Sequence, residues 1–130
     1  MRATAGQVVT YAGRPAVTYF FSTSGGRTED VENSFLDSEP HPWLRSVPDP
    51  YDGASPRHRW RVSMPLAEAE RRLGDLVTGR LHGIEVIKRG SSPRAVYAIV
   101  SSSGGKARAT GPQLRARLGL YDTWATFRVL

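Results

Sequence analysis

Between Leu81 and Ala109, apolar positions fall in short runs separated by small and polar residues. Leu81 to Arg89 and Ala95 to Ser101 read as two strands joined by Gly90-Ser91-Ser92-Pro93, with Ile84, Val86, Ile87, Val96, Ile99 and Val100 as core side chains. Gly104-Gly105 then turns the chain into a third strand, Lys106 to Ala109, which gives an antiparallel meander. The pattern is helical on either side. Pro65 opens a helix through Leu76 whose apolar face is Leu66, Ala69, Leu73 and Leu76, with Glu68, Arg71, Arg72 and Asp75 toward solvent. Thr110-Gly111-Pro112-Gln113 is a capping-box pattern for a short helix that buries Leu114 and Leu118 and stops at Gly119.

Three further segments carry strand-like patterns. Residues 7–22 predict a hairpin, with Val8, Val9 and Tyr11 before an Ala12-Gly13-Arg14-Pro15 turn and Ala16 to Phe21 after it, covered on both faces. His58 to Met64 predicts a strand with Trp60 and Val62 on one side and Arg59 and Arg61 on the other. Thr123 to Leu130, with Trp124, Phe127 and Val129, predicts a last strand. A short helix is expected over Asp30 to Leu36, with Val31 and Phe35 on one face and Thr28 as cap. The expected fold class is α+β, mostly antiparallel β-sheet with two or three short helices, forming a single domain over residues 1–130.

One stretch has no period. Trp43 to Trp60 holds Pro48, Pro50 and Pro56, Asp49 and Asp52, Tyr51 and His58. Long irregular segments in small domains are functional or disordered. Disordered tracts avoid aromatics, so a loop punctuated by Trp43, Tyr51 and Trp60 is expected to be ordered and to line a groove. Upstream, Tyr19-Phe20-Phe21-Ser22-Thr23-Ser24-Gly25-Gly26-Arg27-Thr28-Glu29 runs from apolar residues into a hydroxyl-rich turn. Its glycines permit positive φ and close approach to a ligand, and its hydroxyls and N–H groups suit an oxygen-rich partner. An ordinary tight turn is the plainer account.

Charge and composition narrow the picture. The net charge is +6, and sixteen of the eighteen basic residues are arginine, only Lys88 and Lys106 being lysine. Such a chain attracts polyanions. Nucleic acid rests on that charge alone, because no nucleic-acid-binding motif is present; an anionic wall polymer fits equally well, and so does a solvated basic surface with no dedicated partner. There are no cysteines, which excludes disulfides and thiolate metal sites. His41, His58 and His82 lack ligand spacing, so neither metal nor cofactor is expected. No apolar run is long enough to span a bilayer, and the N-terminus lacks an export signal. Glu29, Asp30 and Glu32 form an acidic cluster that suits the first turn of a helix, with glycosidic acid chemistry as the alternative.

Taken together, the Ser24-Gly25-Gly26-Arg27-Thr28 stretch, Pro42-Trp43-Leu44-Arg45-Ser46-Val47-Pro48-Asp49-Pro50-Tyr51-Asp52 and Ser55-Pro56-Arg57-His58-Arg59-Trp60 resemble the family of stage II sporulation protein D and the amidase enhancers. Similarity continues through Gly83-Ile84-Glu85-Val86, Thr110 to Arg115 and Leu118-Gly119-Leu120. The resemblance implies action on peptidoglycan as a lytic transglycosylase, outside the cytoplasm, with the export signal outside this chain. It also implies a catalytic glutamate on a helix upstream of the part matched here. No such segment occurs in the sequence, so binding of glycan strands without cleavage is expected. The alternative is a non-catalytic enhancer that binds a wall amidase, and a homodimer is a further expectation. Family motifs place substrate contacts at Ser22, Ser24, Gly25, Gly26, Arg27, Thr28, Asp49, Asp52, Ser55, His58 and Trp60, with Trp60 or Trp43 as a ring platform for a pyranose. For the tryptophans the plainer role is a core anchor, and for Asp49 and Asp52 it is turn capping. Some relatives bind zinc through a cysteine before the glycine pair. That position is Ser24 here.

Overall fold

A computed structural model describes residues 2–130. Its centre is a three-stranded antiparallel sheet of β3 (Leu81–Arg89), β4 (Ala95–Ser102) and β5 (Gly105–Thr110), in the order β3-β4-β5. The register runs from Leu81 opposite Ser102 to Arg89 opposite Ala95, and from Tyr97 opposite Thr110 to Ser102 opposite Gly105. β4 is the middle strand, and Val96, Ala98 and Val100 on it are almost wholly buried. Two helices cover this sheet, α2 (Leu66–Leu73) and α3 (Gly111–Leu118). Leu73, Leu114 and Leu118 from the helices meet Leu81, Ala98, Val100 and Ala109 from the sheet in one core cluster. The α+β class, the meander and both helices follow the sequence pattern, but Ile87, expected in the core, is 51% exposed because it turns to the open face of β3.

The ends of the helices have local causes. At α3, the Thr110 hydroxyl accepts from the Gln113 N–H at 3.1 Å, and the Gln113 side chain accepts from the Thr110 N–H at 2.9 Å. Gly119 ends the helix in the left-handed conformation. At α2, Pro65 is the cap residue, and Gly74–Leu76 continues the helix as a 3-10 turn that buries Leu76.

Four further expectations are corrected. The hairpin shrinks to β1 (Thr10–Tyr11) and β2 (Arg14–Pro15), and past the Ala16 N–H, which donates to the Val9 carbonyl at 2.9 Å, residues 16–22 join no strand among the described residues. Its faces are uncovered: Val8, Val9, Val17, Tyr19, Phe20 and Phe21 are all exposed. His58 to Met64 forms no ladder, although Trp60, Val62 and Met64 are half-buried while Arg59, Arg61 and Ser63 are exposed, as in a strand. Thr123 to Leu130 is likewise irregular, tied to β4 by the Ala95 N–H donating to the Thr123 carbonyl at 2.9 Å. These segments have strand-type side chains but no neighbouring strand to receive their N–H groups, and strand character depends on that neighbour. The fourth correction concerns α1, which is only Val31–Ser34 and has Asp30 at its cap. Thr28 is drawn away by Val47, whose N–H donates to the Thr28 hydroxyl and whose carbonyl accepts from the Thr28 N–H.

Candidate functional site

The two irregular stretches fold against each other around one carboxylate. Asp52 lies in a 3-10 turn, Asp52–Ala54, and is almost fully buried. Its Oδ1 accepts the Ser24 N–H at 2.7 Å, and its Oδ2 accepts the Gly25 N–H at 2.9 Å. His58 Nδ1 lies 2.7 Å from the same Oδ2. The hydrogen bond from His58 holds the Asp52 pKa below the usual carboxylate range, and the two backbone N–H groups add to this against the effect of burial. An ionised Asp52 only accepts, so Nδ1 is a donor and Nε2 is left to face away from the pair. Among the described residues Nε2 has no partner, and His58 borders the cleft described below.

Around this centre the loops are stapled residue by residue. The Ser24 hydroxyl donates to Asp49 Oδ2 at 2.8 Å, and Asp49 Oδ1 accepts the Tyr51 N–H at 3.1 Å in a turn. The Thr23 and Ser55 hydroxyls share a 2.5 Å hydrogen bond. Arg27 pairs with Pro48 in an isolated antiparallel bridge and donates from Nε to the Ser46 hydroxyl at 2.9 Å. Gly25 and Gly26 both have positive φ, at 72° and 106°. A Cβ on Gly25 would stand 3.0 Å from the Trp124 ring, so the loop lies flat on that indole and only glycine fits.

The residue that fastens this loop to the sheet stands in no motif or periodic pattern. Arg94, nearly buried just ahead of β4, donates from Nη2 to the Ser24 carbonyl at 2.6 Å and from Nη1 to the Arg27 carbonyl at 2.7 Å. Its Nε and Nη2 face Asp122 at 3.1 and 2.9 Å, and Nη1 also reaches the Ser92 hydroxyl. One arginine among sixteen, following a proline in a turn, carries no periodic signal. Trp124, whose ring Arg94 approaches at 5.5 Å, was readable only as a strand residue.

The acidic cluster proves structural. Glu29 accepts from the Ser91 and Ser92 N–H groups, the Ser92 hydroxyl, the Asn33 amide and the Asp30 N–H. Burial acts to raise its pKa, but the bonds from Ser92, Asn33 and Asp30 outweigh it, so Glu29 titrates below the glutamate range. Asp30 behaves in the same way: burial raises it, while Ser91, the Ser46 N–H and Arg45 lower it further. Glu32 is held by both Arg45 guanidinium nitrogens, at 2.8 and 2.9 Å. A general acid needs a raised pKa. None of the three meets that requirement.

The expected contacts therefore divide. Ser24 and Asp52 are buried, and Asp49, Ser55, Arg27 and Thr28 spend their side chains on loop closure. Ser24 is 1% exposed, and its hydroxyl is turned to Asp49. Trp43 lines the cleft, with Tyr11 and His41 each packed on its ring at 4.7 Å and its N–H donating to the Val17 carbonyl. Ser22, Gly25, Gly26, His58 and Trp60 remain on a broad open cleft of about 1850 Å³. Trp60 meets Tyr121 edge-on at 5.9 Å. That volume exceeds the roughly 300–1,000 Å³ of small-molecule sites, so a polymer segment suits it better. A smaller recess of about 370 Å³ beside Pro112, Arg115 and Asp122 contains none of these loop residues. Among the described residues there is no group of three or more His, Asp or Glu side chains arranged to hold a metal, and no helix long and apolar enough to cross a membrane.

The chain matches no protein-family model. It is 29% identical over 117 residues to stage II sporulation protein D of Bacillus amyloliquefaciens, and likewise 29% identical over 117 residues to that of Bacillus subtilis. Each match covers 90% of this chain. Over most of its length this chain is similar to stage II sporulation protein D. It spans about a third of the length of the curated relatives it matches, 32% in each case. A match over nine-tenths of the chain takes in the loop pair, the meander and α3, so the relationship to stage II sporulation protein D is not confined to one motif.

Proposed function

We propose that this chain is the glycan-facing part of an extracytoplasmic peptidoglycan-remodelling domain, folding as a single domain that binds wall strands without cleaving them alone. The observation that carries this is the Asp52 cradle. It fixes two loops 28 residues apart so that His58 and the Gly25-Gly26 backbone open onto a polymer-sized cleft with Trp60 on its wall. An imidazole nitrogen, exposed peptide groups and an indole make a suitable set for sugar hydroxyls, acetamido groups and a pyranose face. The relation to stage II sporulation protein D agrees with a role at the wall during sporulation. The pKa values of Glu29, Asp30 and Glu32 are all lowered, which supports a reading without an acid catalyst in this cluster.

A second account, a non-catalytic enhancer docking on a wall amidase, is favoured by the apolar residues exposed along 8–21. Contiguous apolar surface of that kind marks interaction sites. A second copy of the chain could occupy the same surface. The first test is incubation with purified glycan strands, measuring retention and analysing products by mass. Retained, intact strands are expected, with His58→Ala and Trp60→Ala each weakening retention about tenfold, equivalent to about 1.4 kcal/mol. Strands neither retained nor cut would overturn glycan binding and leave the enhancer account, which amidase assays and light scattering would then examine. Anhydro-muramic products would refute the absence of cleavage.

A further inference from the structure

We propose that the cleft selects glycan strands bearing carboxylates, read by a row of unpaired arginines flanking and following His58; this rests on the glycan-binding proposal above. Arg57, Arg59 and Arg61 line one wall of the cleft, and Arg115 and Arg128 line it from other segments. All five are exposed, and among the described residues none has a carboxylate within 4.0 Å. Other arginines of the protein are paired, though Arg14, Arg27, Arg89 and Arg108 likewise have no carboxylate within 4.0 Å among the described residues. Arg45 is held by Glu32, Arg72 by Glu68, Arg80 by Glu70, Arg94 by Asp122 and Arg117 by Asp75. The two carboxylates at the cleft, Glu29 and Asp122, are committed to Ser91/Ser92 and to Arg94. The wall therefore keeps an uncompensated positive charge where a ligand would lie.

The local geometry makes this a row. Trp60 and Val62 turn inward while Arg59 and Arg61 stay exposed, and alternate residues of an extended chain lie about 7 Å apart on one side. Arg57 lies over the Tyr121 ring at 3.6 Å, which holds its guanidinium plane and leaves N–H edges free for a planar anion. A neutral polysaccharide would leave the mutual repulsion of these cations in place. Carboxylates relieve it, whether they come from the lactyl groups of the sugar or from stem peptides, and guanidinium binds either one through two parallel hydrogen bonds.

The test measures affinity for four ligands at low and high salt: strands without stem peptides, strands with them, the same strands with carboxylates amidated, and a neutral N-acetylglucosamine oligosaccharide. Carboxylated strands should bind at least about tenfold more tightly than amidated ones, and the gap should close in high salt. The exposed double variant Arg59→Ala/Arg61→Ala should erase the gap and leave binding of the neutral oligosaccharide unchanged. The two carboxylated strands compared with each other identify which source is read. Equal binding of carboxylated and amidated strands would overturn the arginine row and leave glycan binding standing. Failure of all four ligands would overturn both. A polyol-phosphate polymer binding more tightly than any carboxylated strand would also overturn it, by making phosphate the anion that is read.

Discussion

Arg94→Ala should unfasten the Ser24–Arg27 loop from the sheet. The guanidinium supplies two short hydrogen bonds to loop carbonyls, at 2.6 and 2.7 Å, and a two-pronged contact with Asp122. A hydrogen bond to a charged group contributes about 1.5–3 kcal/mol, and removing one partner of a buried ion pair costs about 3–5 kcal/mol. The Asp122 side chain is 29% exposed, so water can replace part of its pairing and the lower end applies. A loss of about 3 kcal/mol is expected against a total of about 5–15 kcal/mol for a domain. In a chain of this size that corresponds to a fall in Tm of roughly 10 °C. Urea titration followed by tryptophan emission is the assay, since Trp124 lies beside Arg94 and reports the same region. Arg94→Lys keeps the charge but cannot span the carbonyls and Asp122 together, and should recover less than half of the loss. An Arg94→Ala protein within about 1 kcal/mol of the parent would refute the account, because the loop would then be held by Asp52 and Trp124 without it.

Gly25→Ala, with φ of 72° and an indole 3.0 Å from the new methyl, should cost about 1–2 kcal/mol and weaken glycan retention. Gly53→Ala in the facing loop, where nothing lies within 4 Å, should be near neutral in the same two measurements. Stability should hold from neutral pH down to about pH 5 and decline below about pH 4. The folded pKa values of Glu29, Asp30 and Asp52 are depressed, so their contribution is full above the unfolded values and is lost as pH falls through the folded ones. Circular dichroism across an acid series checks this, and a decline that begins near pH 6 would contradict it. Leu73→Ala, at a side chain with 0% exposure, should cost about 2–5 kcal/mol in urea denaturation. Thr110→Ala removes the hydroxyl that accepts from Gln113 and should cost about 1 kcal/mol in the same titration.

The parts legible in the sequence are those whose causes are local. The capping box at Thr110 and Gln113, the turn at Gly90 to Pro93 and the burial of Val96 and Val100 on β4 each have causes within a few residues, and each occurs as expected. Extended segments were legible only in part. Residues 59–64 keep the alternation of inward and outward side chains that the pattern implies, yet form no ladder. A strand is completed by a neighbour that the pattern cannot specify. Residues 16–22 show the same limit more sharply, since Phe20 is 98% exposed where burial was expected. Around the site, motif order was enough to bring the Ser24 turn and the Asp52 loop together, because both stretches belong to one recognisable pattern. Arg94 and Trp124 were hidden for the opposite reason: neither lies in a motif, and each acts by meeting a loop about 70 or 100 residues earlier in the chain.

The acidic residues connect the irregular backbone to the chemistry available at the cleft. A loop layer without a ladder must satisfy its N–H groups by other means. Here carboxylates do so: Asp52 takes the N–H groups of Ser24 and Gly25, Asp30 that of Ser46, and Glu29 those of Asp30, Ser91 and Ser92. Each of these bonds favours the ionised form, so the function that holds the loops also lowers the carboxylate pKa. A carboxylate cannot staple several N–H groups and also wait protonated for a leaving oxygen. The same acids therefore explain both why an irregular loop pair is ordered and why no proton donor for glycosidic cleavage is found among them. What they leave facing the cleft is an imidazole oriented through Nδ1, glycine backbone, an indole and unpaired arginines. In the function proposed above that set holds an anionic sugar polymer, and Glu29, Asp30 and Glu32 beside it are kept in the ionised form rather than as acids that could break one.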